Sequence, residues 1–224
     1  QIGGSRVDVR VLLPAGADPH AFEPRPQDIA ALTDADLVLV NGFGLEETLQ
    51  PLLENASNVL VVSDGIEPLP FAEEAGGLDP HVWQDPNNVI VWARNISDAF
   101  AQADPAHTDE YAANAETYIA ELIALDAWIV EQVAQVPKAN RKLVTEHTTF
   151  GYFAARYGFQ QVGAVVPSVS TGSSPSAQEL AALEDAIRVG EVKAVFVGST
   201  VSPDLSRRVA EDTGVRLVFL FTDS

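Results

Sequence analysis

A chain of 224 residues is long enough for one large domain or two small ones, each able to bury a core. At 46% apolar and 20% charged its composition is globular, which argues against a disordered or fibrous protein. The 32 acidic residues against 13 basic ones leave a net charge of -19, which works against nucleic acid or an anionic membrane surface and favours cations, besides serving solubility.

Along the chain, strand-like and helix-like segments alternate. Residues 7–13 are β-branched and end at Pro14-Ala15-Gly16, so a strand is expected, followed by a loop carrying His20. A helix opens at 25–32 with Pro26 in its first turn, and the apolar run 37–40 before Asn41-Gly42 reads as a strand buried on both faces of a parallel sheet. Residues 45–53 predict a helix and 58–62 the next strand. Residues 87–103 carry a helical stripe of Val89, Ile90, Trp92, Ala93, Ile96 and Phe100, closed by Asp104-Pro105. A second long amphipathic helix covers 108–136. Strands then follow at 142–145, 161–166, 194–197 and 216–221, separated by helices at 149–157, 176–189 and 204–213 that stop at Gly158, Gly190 and Gly214. βα units on both sides of a helical middle predict an α/β fold of two parallel-sheet lobes joined by a long helix. Ligands would gather at the carboxyl ends of strands, where the lobes face each other.

Four histidines are all the chain has, and two of them share a phrase, Asp18-Pro19-His20 and Asp79-Pro80-His81. His147 and Asp223 each follow a strand-like run. With no cysteine, a metal could be held only by imidazole and oxygen donors. The proline before His20 and before His81 fixes one torsion and restricts its neighbour, which limits each imidazole before it binds. A lone Asp-Pro-His is more often an ordinary turn; two, with His147 and Asp223 in equivalent settings, point to a metal binder. An ion touching all four would bridge the cleft. His107, at a helix junction, is read as solvated rather than as a ligand. No apolar run nears the roughly 20 residues of a membrane-spanning helix. The start at Gln1 and the lack of methionine are expected of a processed or trimmed chain.

Four stretches carry a family resemblance: residues 14–24 around His20, Asp79-Pro80-His81-Val82-Trp83, Thr145-Glu146-His147 with the residues through Phe153, and Phe221-Thr222-Asp223-Ser224. They resemble the cluster A-I solute-binding proteins of zinc and manganese ABC importers, and Asn41-Gly42 with Gly44-Leu45-Glu46 resembles that family's first-lobe helix start. The resemblance runs essentially end to end. It implies an extracytoplasmic receptor, periplasmic or lipid-anchored at the cell surface, that captures one divalent transition metal per chain and hands it to an ABC permease. The ligand positions fall on His20, His81, His147 and Asp223. The implied fold is an N-terminal lobe over 1–86, a rigid linker helix over 87–104 and a C-terminal lobe over 105–224, with modest motion on binding; a monomer is expected.

Three nitrogens and one carboxylate suit zinc, whereas members tuned to manganese often carry glutamate at the third position, so Zn2+ is favoured and Mn2+ is the alternative. Glu23 and Glu146 could orient imidazoles from behind, or be a plain loop residue and a surface side chain. Trp83 and Phe150 could shield the ion or be plain core. The chain departs from the family in having no histidine between Glu67 and Leu78, where zinc-specific members often carry a histidine-rich loop. Gly198 stands where an acidic residue is common, and both ends look trimmed relative to the family. Two rival readings are a zinc hydrolase with Glu146 as general base and a metal-binding surface adhesin. Against the hydrolase, no His-Glu-x-x-His helix is present, and four protein ligands leave no position for water.

Overall fold

The computed structural model describes residues 1–13, 17, 19–54, 56, 58–71, 77–167, 174–198 and 202–222. Helix α1, Pro26–Asp34, begins with proline at its first position, and the carboxylate of Asp28 accepts from both the backbone and the side chain of Arg25. The first lobe's sheet pairs β1, Val38–Val40, in parallel with β2, Val59–Val61, Val38 standing opposite Val59. Leu39 is 42% exposed, so the apolar run is buried on one face rather than on both: with two strands among the described residues, the sheet is too narrow to seat a helix layer on each side. The connection between these strands is not the single helix expected over 45–53. Pro51 has no N–H to donate back along such a helix, so a 3-10 turn at Glu47–Leu49 is followed by the separate four-residue α2, Gln50–Leu53.

Residues 7–13 form no strand either, and Val9 and Val11 stand 70% and 73% exposed. β-branched alternation stabilises a strand only against a partner ladder, and among the described residues none lies alongside.

Between the two sheets the chain runs through two long helices. In α3, Pro86–Ala103, Asp85 caps the first turn by accepting from the Asn87 N–H, and Pro86 takes the first helical position. Its stripe buries Ile90 and Ala93 against Ala115, Ile119 and Leu122 of α4, Thr108–Ala134, with Ile2 completing the cluster. The Asn95 amide of α3 donates to the carbonyls of Val62 (2.8 Å) and Asp64 (2.9 Å), just after β2. On the other side, Asp126 of α4 receives Arg156 (2.6 Å) and the Tyr157 hydroxyl (2.8 Å). One helix is thus tied to the first lobe and its neighbour to the second.

The second lobe is a parallel sheet in the order β4-β3-β5-β6. Its strands are β3, Lys142–His147, β4, Gln160–Val166, β5, Ala194–Val197, and β6, Arg216–Phe219. They are connected by α5, Gly151–Tyr157, α6, Ala177–Val189, and α7, Asp204–Thr213. Ser176 and Glu179 close a capping box on α6, and Gly158 and Gly214 end α5 and α7 in the left-handed conformation. Val144, Val165, Ile187, Val195 and Val209 form the core between sheet and helices. β6 stops at Phe219 rather than 221: β5 ends at Val197, and after Leu220 donates to the Val197 carbonyl no strand among the described residues accompanies it further. The chain leaves β3 for β4 on one side and crosses to β5 on the other. β3 and β5 therefore flank the point where the winding reverses, and crevices for ligands open there at carboxyl ends.

Candidate metal centre

His147 is the last residue of β3, at that reversal. It is 2% exposed, and its strand is paired on both edges, which leaves the backbone little freedom. Its Nδ1 lies 3.1 Å from Glu146 Oε1, while Glu146 Oε2 accepts the Gly198 N–H at 2.7 Å from beyond β5. A carboxylate oxygen accepts, so Nδ1 carries the hydrogen and Nε2 keeps its lone pair. Glu146 is 3% exposed and in contact with the ring, not a surface side chain.

His81 is fully buried and held in the same way by a different residue. Asp79 Oδ1 accepts both the His81 backbone N–H (3.0 Å) and His81 Nδ1 (2.7 Å), so Asp-Pro-His folds back on itself and again leaves Nε2 free. The intervening Pro80 carbonyl accepts from the Asn41 amide at 3.0 Å. Asn41, at the carboxyl end of β1, is fixed in turn by Glu46, whose two oxygens accept the backbone N–H groups of Asn41 (2.5 Å) and Gly42 (3.0 Å). Burial pushes the Glu46 carboxyl above its ordinary value despite these bonds.

His20 sits in the 3-10 turn Pro19–Ala21 and is half-buried. Its Nε2 is 3.3 Å from His81 Nε2, and one ligand atom from each of His20, His81 and His147 lies within 4.8 Å of the others. Two tetrahedral donors about 2.05 Å from one zinc stand about 3.3 Å apart, so the first pair already has the spacing of a shared ion.

Asp223 lies outside the described residues. Its neighbour Thr222 is buried, and its carbonyl accepts from Trp83 Nε1 at 3.1 Å. The Trp83 ring meets the edge of His81 at 5.3 Å, whereas Phe150 packs on Phe153. Glu23 is exposed and makes no hydrogen bond to an imidazole among the described residues. His107 is not simply solvated: its Nδ1 is 2.6 Å from Asp104 Oδ2 at the junction of α3 and α4, and this hydrogen bond is the main cause that holds the Asp104 carboxyl below the usual range. It stands apart from the three-histidine cluster.

Sequence reasoning missed Asp79, Asn41 and Tyr152. The Tyr152 hydroxyl, on α5 of the second lobe, donates to the Asp79 carbonyl (2.9 Å) and accepts the Leu69 N–H (3.0 Å). The signal for Asp79 was present in Asp-Pro-His, because an aspartate two residues before a histidine can bond its backbone. For Tyr152 there was none, since its partners lie 73 and 83 residues away. Gly198 has a spatial reason: a Cβ there would lie 2.4 Å from Thr222 Oγ1 and 2.8 Å from Glu146 Oε1, so the space of any side chain is already filled.

Three imidazoles, two of them with Nδ1 engaged by a carboxylate, can ligate a borderline transition metal. Glu146 is poorly placed to serve as a general base, because both its oxygens are engaged. Among known proteins, the model of the family described as zinc-uptake complex component A, periplasmic, or ZnuA, matches residues 1–224. The chain belongs to the ZnuA family. Its two parallel sheets and long connecting helices have the ZnuA fold: the crystal structure of ZnuA superposes with a TM-score of 0.89 at 33% identity, covering 100% of this chain and 86% of the other. The manganese-binding lipoprotein MntA of Halalkalibacterium halodurans is 38% identical over 226 residues, 100% of this chain and 74% of that protein. The iron-binding protein YfeA of Yersinia pestis is 34% identical over 219 residues, 96% and 70% of the respective chains. ZnuA proteins are metal-binding receptors of ABC importers and not enzymes, which removes the hydrolase reading. Relatives named for zinc, manganese and iron leave the ion itself undecided.

Proposed function

We propose that the chain is an extracytoplasmic receptor that binds one divalent transition-metal ion, zinc in preference to manganese, and passes it to an ABC permease. The convergence of His20, His81 and His147 within 4.8 Å carries this reading. Asp223 would be the fourth ligand, and Glu146 the residue that orients His147. Three nitrogens and one carboxylate form a closed, zinc-like set suited to carriage rather than turnover. The extracytoplasmic placement is supported by relatives described as periplasmic or as lipoproteins, and no described helix is long and apolar enough to cross a membrane. The lobes would be residues 1–86 and 105–224, braced by a helix over 87–104, and the receptor would act as a monomer.

Competition titration with zinc and manganese tests the proposal. A single site per chain, filled by either ion and more tightly by zinc, is expected. His147→Glu should lower the zinc-to-manganese affinity ratio by about tenfold or more, since oxygen replaces nitrogen. Absence of binding would overturn the function, and an unchanged ratio would overturn the role of His147 in ion choice.

A further inference from the structure

The loop that carries His81 is gripped from both lobes. Asn41 holds the Pro80 carbonyl from the first lobe, and Tyr152 holds the Asp79 carbonyl from the second. Tyr152 is 5% exposed, and the Leu69 N–H donated to its oxygen leaves the phenol hydrogen aimed at Asp79. Burial is the main cause that pushes its ionisation up to about 12, so the hydroxyl remains a donor over the whole physiological range. The preceding residue, Gly151, lets α5 come close: a Cβ there would lie 2.3 Å from Asp79 Oδ2. The second lobe thus presses on the very residue whose other oxygen fixes the His81 ring.

We infer that Tyr152 is a positioning residue that couples lobe contact to metal retention, by holding Asp79 where it fixes His81 for the ion. This rests on the metal-receptor reading above. While the lobes touch, His81 is locked with Nε2 forward. When they part, the Asp79 main chain loses its cross-lobe anchor and the imidazole its fixed aim, and the ion is released. The coupling acts on dissociation, because the bond is made within the closed state and not with the incoming ion.

The test is zinc release into excess chelator, followed by stopped flow on zinc-loaded protein, for wild type, Tyr152→Phe, Asp79→Asn and the double variant, with His81→Ala as the control for the site. Losing one buried hydrogen bond should speed release by about tenfold in Tyr152→Phe, with association unchanged. If Tyr152 acts through Asp79, the double variant releases zinc no faster than Asp79→Asn alone. Multiplicative effects, or release from Tyr152→Phe at the wild-type rate, would overturn the inference. The melting temperature of each metal-free variant separates general loosening from this route: a lowered melting temperature with multiplicative rates also counts against it. If His81→Ala holds zinc as wild type does, the receptor reading itself fails, which is a different result from an unaltered Tyr152→Phe.

Discussion

Replacing Glu146 by glutamine changes one oxygen into an amide nitrogen in a place where neither orientation fits. If the new NH2 faces Gly198, two donors oppose each other at the position of a 2.7 Å hydrogen bond, and a buried N–H loses its acceptor. If it faces His147 instead, at the position now 3.1 Å away, it donates to Nδ1, and the ring's hydrogen must move to Nε2, the atom turned toward the ion. The side chain is 4% exposed and cannot escape into water. The first orientation costs about 1–3 kcal/mol of stability, and the second removes a ligand. Loss of an outer partner of a ligating histidine typically weakens metal binding by about 10–100-fold, or about 1.4–2.7 kcal/mol. Competition against a zinc chelator measures the affinity, and nitrogen-detected NMR of the ring reports which nitrogen is protonated. Affinity within twofold of wild type, with the Nδ1–H form retained, would refute the idea that Glu146 sets the state of His147.

Gly198→Ala should weaken zinc by about tenfold and lower the melting temperature of the metal-free protein, because its methyl would displace Glu146 or Thr222; calorimetry and the same competition assay check both effects. The acid limb of unfolding gives a further expectation. Asp126 is held below the ordinary carboxylate value mainly by its hydrogen bonds with Arg156. A lowered folded-state value contributes stability above pH of about 3.8 that is lost as pH falls through the folded value. Arg156→Met should therefore flatten the dependence of stability on pH below about 4, measured by urea unfolding of metal-free protein, and an unchanged slope would count against the pair.

Much of this architecture was legible because its signals are local. The stripe from Val89 to Phe100, closed by Asp104-Pro105, announced α3, and Gly158 and Gly214 marked the ends of α5 and α7. The three histidines could be brought together on paper because two share the phrase Asp-Pro-His and the third ends a strand-like run, where parallel sheets place ligands. What failed depended on neighbours. Residues 7–13 have the composition of a strand but no ladder to join among the described residues, β6 runs only as far as β5 accompanies it, and the helix expected over 45–53 is split before Gln50, with Pro51 in the first turn of α2. The links that steady the candidate site, Asn41 to Pro80, Tyr152 to Asp79 and Glu146 to Gly198, join residues 39 to 73 positions apart and leave no periodic trace.

The three imidazoles are not equally sheltered. His81 and His147 are buried, whereas His20 rides on a short turn and is half-open to water. Among the described residues, traffic to the site therefore passes His20. A scavenger in bulk solution meets that side and has no direct path to the two inner nitrogens. Stripping the ion is then a first-order event, paced by the opening of the protein itself and independent of scavenger concentration once the scavenger is in excess.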